Sequence, residues 1–193
     1  MKSLSDMTLE ELWQLFPIVL RPYDSAWPSW YREEADSLRS ALGSVAARIR
    51  HIGSTAVSGL VAKPTVDILL EIADGTERAS LRPILERLGW ICMADREGPP
   101  PQTDFCKGYT PEGYAEKVYH LHVRPFGDWD EPVFRDYLRT HPDAASEYVR
   151  LKQGLAVRFR NDRDAYTEAK GDWIRRIVRR ARAEAECRRP GEA

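Results

Sequence analysis

Two segments of the chain alternate apolar and polar residues with the period of a β-strand. Residues 66–72, VDILLEI, place aliphatic side chains at every second position, and residues 117–124, KVYHLHVR, do the same with Tyr119, Leu121 and Val123. Because successive side chains of a strand point to opposite faces, one face of each segment is predicted to lie in the core. The polar residues of both segments then share the other face.

An acidic residue, Asp67, interrupts the first of these apolar segments. A carboxylate in a buried strand costs several kcal/mol unless it is paired, hydrogen-bonded or bound to a metal. We therefore expect a partner opposite Asp67. The second segment offers two candidates on one face, His120 and His122, and pairing of the two strands would bring one of them to about 4.8 Å from Asp67.

The stretch before the acidic strand has the composition of a tight loop. Gly53 permits backbone angles that other residues resist, and Ser54 and Thr55 place hydroxyl and N–H groups close together. Such a loop can hold an anion, although a Gly-Ser turn alone is common and weak evidence. Lys63 follows, and Pro64 favours extended backbone before the strand.

The remaining pattern predicts helices and short strands without regular alternation. Helices are expected at 5–16, 26–42, 77–88, 131–140, 143–160 and 165–186, and strands at 18–21, 48–52, 90–93 and 105–109. The helices collect towards the C-terminal end, which favours an α+β domain with an antiparallel or mixed sheet. Residues 97–103, EGPPPQT, are expected to form a mobile loop, either a connector or a lid over a pocket.

Length, charge balance and cysteine spacing limit the kinds of protein that this chain can be. The 193 residues suit a single domain, and 29 Lys and Arg against 30 Asp and Glu give no overall field that favours nucleic acid or a membrane. The basic stretch 175–189 is interpreted as a solvated helix face, with frayed residues 188–193. Three cysteines in no paired spacing argue against disulfides and structural zinc. With no apolar segment of about 20 residues, a cytoplasmic protein is expected.

Several separated motifs resemble one family. The runs HIGSTAV, AKP, HLHV, FRDYLRTHPDAASEYVRLK and AYTEAKGDWI, between residues 20 and 179, are similar to the GrpB family of bacterial proteins, which is placed in the nucleotidyltransferase-like superfold. Ser58 departs from the pattern, because the family usually has proline there. The resemblance implies an α+β fold with a nucleotidyltransferase-like mixed β-sheet, flanking helices and a helical C-terminal region. We expect one domain, with the resemblance covering a core at 20–179, an N-terminal helix at 4–16 and a basic tail at 180–193.

The superfold resemblance implies a two-metal nucleotidyl transfer, in which carboxylates hold divalent ions that activate a hydroxyl and neutralise a triphosphate. The usual acidic pair is Asp-x-Asp, but Leu69 stands at the second position. Glu71 lies about 13 Å from Asp67 along an extended strand, too far to replace it. Asp67, His120 and His122 are the alternative metal set.

The cofactor expected is a divalent metal, magnesium or manganese, or zinc. Two imidazoles and one carboxylate favour zinc, manganese or iron over magnesium. The structural alternative for these three residues is a hydrogen-bonded Asp–His pair that stabilises the sheet without binding a metal.

The expected phosphate ligands are the Gly53, Ser54 and Thr55 loop with the cations Lys63, Arg124 and Lys170. A strand-end cation is, alternatively, only solvated, and Lys170 alternatively lies along packed aromatic side chains.

The leading hypothesis is a nucleotidyltransferase that moves a nucleotidyl group from a nucleoside triphosphate to a small-molecule acceptor. Asp67 would act as metal ligand or base, and His120 and His122 as ligands or proton carriers. The alternatives are a non-catalytic module that binds a nucleotide or phosphate ligand, favoured by Leu69, and a metal-dependent phosphoesterase. The expected partner is a nucleotide or phosphorylated small molecule, with no membrane and no specific nucleic acid.

Overall fold

A computed structural model describes residues 2–188. A mixed sheet is formed by β1 (Ala46–Ile52), β2 (Val66–Ile72), β3 (Ile91–Arg96), β4 (Gln102–Thr110) and β5 (Gly113–Pro125). The α-helices of this part of the chain are α1 (Leu9–Leu15), α2 (Trp27–Leu42), α3 (Arg82–Arg87), α4 (Asp130–Thr140), α5 (Pro142–Arg158) and α6 (Arg163–Cys187).

The strand order β1-β2-β5-β4-β3 places the acidic strand beside the histidine strand. β2 and β5 pair in parallel, with Asp67 opposite His120 and Leu69 opposite His122, while the other neighbouring pairs are antiparallel. The parallel pair is what brings residues distant in sequence to one spot on the sheet. The predictions of an α+β fold, a mixed sheet and a His opposite Asp67 are confirmed.

One face of the sheet carries the main core. The alternate β2 residues Val66, Ile68, Leu70 and Ile72 and the apolar side of β5 pack against α2 and the segment that contains α3. Trp27 and Leu38 of α2 are 1% and 0% exposed, so this helix is held by its apolar side. The predicted alternation of both strands is confirmed.

The opposite face of the sheet is covered by α4, α5 and α6, which share a second core. Phe134, Tyr148 and Ile177 belong to this core, together with Val57 and Leu60 of the loop after β1. The loop is therefore fixed between the sheet and the C-terminal helices. This packing decides which way its polar groups point.

Some element boundaries differ from the sequence predictions. The strand expected at 18–21 is wrong: only Arg21 forms an isolated bridge, to Ala62, while the N–H of Ile18 bonds the carbonyl of Arg160. The helix expected at 77–88 begins as a 3-10 turn, Arg78–Leu81, and becomes α-helical only from Arg82, at the proline. α3 is correspondingly short.

The C-terminal prediction is corrected in part. The basic tail expected from residue 180 is the last part of α6 as far as Cys187, and its arginines pair with acidic residues, as Arg182 does with Asp128 and Asp130. Residues 189–193, which hold most of the segment expected to fray, lie outside the described residues. Among residues 2–188, no helix combines the length and apolar character needed to span a bilayer.

Candidate functional site

A cleft of about 1010 Å³ lies between the polar face of the sheet and helices α5 and α6. Asp67, His120 and His122 are at its floor. Predicted residues that also line it are Gly53, Ser54, Lys63 and Lys170. Pro100 of the 97–101 connection lies at its edge.

Gly53 allows the loop to meet the acidic strand. Its φ is +68°, and a Cβ atom there would lie 2.2 Å from Oδ2 of Asp67. Both the positive φ and this close approach exclude a larger side chain. The glycine in HIGSTAV therefore brings the loop backbone directly against the carboxylate.

Asp67 is held by both histidines. Nδ1 of His120 lies 3.2 Å and Nε2 of His122 lies 3.8 Å from Oδ1 of Asp67. Burial acts to raise the pKa of Asp67, but hydrogen bonds and charge from the two histidines outweigh it and hold this pKa well below its usual range. The carboxylate is consequently ionised at neutral pH.

A second carboxylate, Asp104 of β4, lies on the other side of His122. Its Oδ1 is 2.9 Å from Nδ1 of His122 and also accepts from Arg124 at 2.9 Å, while Oδ2 accepts from Arg96 at 2.7 Å. Burial lowers the pKa of His122, yet the hydrogen bonds to Asp104 and Asp67 raise it overall to about 9. His122 is thus an imidazolium between two carboxylates.

His120 is held on its far side by a tyrosine. Oη of Tyr109 lies 2.8 Å from Nε2 of His120, and Nη2 of Arg163 donates to the same Oη at 2.7 Å. Tyr109 is itself packed against Phe16 and Tyr114. Burial lowers the pKa of His120 despite its bond to Asp67.

Three lysines of different elements line the cleft. Nζ of Lys63 and Nζ of Lys170 lie over the ring of Tyr166, 5.7 and 4.2 Å from its centroid. In the described part of the chain, neither ammonium has a carboxylate within ion-pair distance. Burial is the main reason that the pKa falls to about 7 for Lys63 and about 8 for Lys170.

The third lysine, Lys152 of α5, supports the loop. Its ammonium donates to Oγ of Ser54 at 3.1 Å and to the carbonyl of Val61, and it lies over the ring of Tyr148. Lys152 is 2% exposed, and burial, with charge from Lys170 and Lys63, lowers its pKa to about 7. It fixes the Ser54 hydroxyl at the cleft.

Helix α4 holds the loop from behind. Arg135 donates to the carbonyl of His51 at 2.7 Å, and Arg139 donates through Nε and Nη2 to the carbonyl of Ala56. Thr55 is 1% exposed and donates to the carbonyl of Thr65, so it does not line the cleft. Of the predicted loop residues, only Gly53 and Ser54 reach it.

Arg124 and Glu71 are placed away from the cleft. Arg124, expected as a phosphate ligand, is 4% exposed and is committed to Asp104 and the carbonyl of Thr103. Glu71 is fully buried and pairs with Arg48 at 2.5 Å and Arg50 at 2.7 Å. Arg124 therefore contributes to the site only by holding Asp104. Glu71 has a structural role as the partner of two arginines.

The donor set suits a transition metal only in part. Within residues 2–188, no three His, Cys, Asp or Glu side chains surround a position that could hold a metal ion. His120 already uses both ring nitrogens, with Asp67 and Tyr109. Asp67 and His122 fit better once His122 gives up its Nε2 proton, because the bond from His122 Nδ1 to Asp104 is the outer-shell support that metal-bound histidines commonly have.

Four site residues escaped the sequence argument: Asp104, Tyr109, Lys152 and Arg163. Asp104 is an acid next to an apolar segment, as Asp67 is, but it lies between the predicted loop at 97–103 and the predicted strand at 105–109, whereas β4 begins at Gln102. Lys152 is four residues after Tyr148, a helical spacing that places both on one face. Tyr109 and Arg163 gave no local signal, since their contact joins a strand to a distant helix.

Comparisons with known proteins agree with one another. The sequence model of a family described as GrpB protein matches residues 17–180. UPF0157 protein PA4798 of Pseudomonas aeruginosa is 43% identical over 168 residues, which are 86% of this chain and 68% of that protein. The crystal structure of conserved protein GrpB from Enterococcus faecalis superposes with a TM-score of 0.75 at 29% identity, over 86% of this chain and 99% of that one.

A weaker structural similarity is to the Cid1 poly(U) polymerase with bound MgGTP. The TM-score is 0.47 at 11% identity, over 68% of this chain and 42% of that one. This similarity is too weak to carry a conclusion about the site.

Proposed function

Because the chain belongs to the GrpB family, whose sequence model matches residues 17–180, we propose that its cleft binds a nucleoside triphosphate and transfers the nucleotidyl group to a small-molecule acceptor. The proposal rests on the arrangement of charge in the cleft. Cations line one part of it, and an ionised carboxylate stands beside a glycine-serine loop.

The single observation that carries the proposal is the pair of ammonium groups around Tyr166. Lys63 and Lys170 are half-buried in the cleft, and within the described residues no carboxylate pairs with either. Even a half-buried cation without a partner loses part of its hydration at a cost. An anionic ligand with several negative oxygens, such as a triphosphate, would supply the missing partners.

The other residues take roles that follow from their positions. Ser54, fixed by Lys152, and the backbone of Gly53 would contact phosphate oxygens. Asp67 would accept the proton of the attacking hydroxyl or hold a metal. Where no ion is bound, His122 would act as a proton carrier between Asp67 and Asp104, since its nitrogens face both.

A divalent ion is part of the proposal. Asp67 and His122 would hold it, and His120 would become a third ligand only by giving up its hydrogen bond to Asp67. When bound, such an ion would neutralise charge on the phosphates. With imidazole in the donor set, manganese or zinc suits these residues better than magnesium.

The test is a calorimetric titration of the purified chain with each nucleoside triphosphate, with and without Mn²⁺, followed by a search for pyrophosphate release with candidate acceptors. Asp67→Asn should abolish release in a protein that melts normally, whereas Asp172→Asn, an exposed aspartate of α6, should leave release unchanged. Absence of triphosphate binding by the wild-type chain would overturn the proposal. Release of inorganic phosphate from simple esters would replace it with a phosphoesterase.

One observation favours a second candidate, a nucleotide-binding module without catalysis. Leu69, at the position two residues after Asp67, is fully buried and leaves β2 with one carboxylate in the cleft. Tight triphosphate binding with no pyrophosphate after long incubation would decide for the module. Both candidates share the cationic part of the cleft, so the titration tests that part first.

A further inference from the structure

The geometry points to Tyr109 as a positioning residue that fixes the hydrogen of His120 on Nδ1 and so directs it at Asp67. This inference rests on the proposed function in one respect only, the chemical role of Asp67. The placement of the hydrogen follows from the contacts of Tyr109, His120 and Arg163.

The first step concerns the hydroxyl of Tyr109. In the described part of the chain, its oxygen accepts from Nη2 of Arg163 at 2.7 Å and lies 2.8 Å from Nε2 of His120, and the neighbouring Tyr114 donates its own hydroxyl hydrogen to the carbonyl of Phe16. A guanidinium has only donors and cannot accept. The hydroxyl hydrogen is therefore directed at Nε2 of His120, which lies 2.8 Å away.

The second step concerns the imidazole. A nitrogen that accepts a hydrogen bond carries no hydrogen, so the ring hydrogen of His120 must be on Nδ1. Nδ1 faces Oδ1 of Asp67 at 3.2 Å, and a carboxylate accepts that hydrogen. The order of donors is thus Arg163 to Tyr109, Tyr109 to His120, and His120 to Asp67.

Packing keeps this chain of donors in register. The ring of Tyr109 stacks on that of His120, with centroids 5.9 Å apart and planes inclined by 20°. The guanidinium of Arg163 lies 5.1 Å from the centroid of the Tyr109 ring. Tyr109 therefore cannot turn its hydroxyl away without losing contacts on both sides.

The consequence is a division of work between the two histidines of HLHV. His120 presents an N–H to Asp67 and orients the carboxylate, whose Oδ2 lies against Gly53. His122 faces the same Oδ1 with Nε2. Of the two, His122 is the one that can exchange a proton or accept an ion, and His120 acts through Asp67.

The test is a long-range ¹H–¹⁵N correlation spectrum of the full ¹⁵N-labelled chain, without nucleotide or metal, with His120 assigned by its loss in His120→Gln. We expect His120 to show a protonated Nδ1 and a bare Nε2. Tyr109→Phe should shift the His120 Nε2 resonance, because its donor is gone. Tyr114→Phe is the matched control, since Tyr114 packs in the same aromatic cluster but donates to the carbonyl of Phe16.

Two outcomes would overturn the inference: a hydrogen on Nε2 of wild-type His120, or the same change of the His120 signals in both tyrosine variants. The sample for this spectrum contains no nucleotide and no metal, so the result does not depend on ligand binding. A chain that fails to bind triphosphate but shows the Nδ1 hydrogen would refute the proposed function and leave this inference standing.

Discussion

Gly53 and Asp67 are in contact across the start of the cleft, so that a Cβ atom on Gly53 would lie 2.2 Å from Oδ2 of the carboxylate. The contact lies directly after the last paired position of β1 and β2, where Ile52 is opposite Asp67. Glycine is therefore needed at position 53 both for the turn and to leave space for the Asp67 carboxylate.

Gly53→Ala should therefore destabilise the protein by more than its backbone strain alone. The backbone angles of Gly53, φ +68° and ψ −169°, cost a residue with a Cβ about 1–3 kcal/mol, and displacement of Asp67 adds to this. Gly75→Ala supplies the control, because Gly75 has φ +77° and open space around its Cβ position. Urea unfolding should give a loss at residue 53 at least twice that at residue 75, and equal losses would contradict the contact.

Glu71→Gln should strongly lower the free energy of unfolding. Removing one partner of a fully buried ion pair costs about 3–5 kcal/mol. Glu71 is 0% exposed, but its partners Arg48 and Arg50 are 37% and 23% exposed and can turn towards water, so a loss of about 2–3 kcal/mol is expected. Glu86→Gln, which breaks the exposed pair with Arg82, should cost less than about 1 kcal/mol. Similar losses in the two variants would show that Glu71 is not held as described.

The stability of the chain relative to Lys152→Met should rise with pH above about 7. The pKa of Lys152 is lowered to about 7 by burial, so between this value and its ordinary pKa the unfolded chain binds more protons than the folded one. Stability then increases with pH, by up to ~1.4 kcal/mol per pH unit. Unfolding curves of both proteins at pH 7, 8 and 9 measure this difference, and a constant difference would refute the shift.

Asp104→Asn should lower the pKa of His122 from about 9 towards its ordinary value, because a neutral amide no longer favours the imidazolium. A fall of about one unit or more is expected in an NMR titration of the histidine. Asp95→Asn is the comparison, since Asp95 of β3 pairs with Arg78 and not with a histidine. A His122 titration unchanged by Asp104→Asn would exclude Asp104 as its partner.

The sequence predicted the centre of the site because strand alternation is a local signal. Asp67 and His120 were assigned to polar faces from their neighbours alone, and pairing of the two strands then placed them together. The burial of Glu71 could not be predicted in this way. Its partners come from β1 and not from its own strand.

The residues that sequence reasoning misplaced depend on tertiary packing. Arg124 has the side chain of a phosphate ligand, but it forms an ion pair with Asp104 on the neighbouring strand. Lys152, which the sequence argument missed, is buried because α5 packs over the loop. Residues 18–21 are apolar enough for a strand, yet their backbone forms hydrogen bonds with Arg160, just after α5, and with Ala62.

The parallel pairing of β2 with β5 also has a consequence for how the protein folds. β4 and β5 form a hairpin from neighbouring residues, whereas Asp67 and His120 are 53 residues apart and meet only when that hairpin docks on β2. Contacts of such separation close late, because loop entropy is lost before they form. A ligand that bridges the two strands should accordingly slow unfolding while leaving the refolding rate almost unchanged.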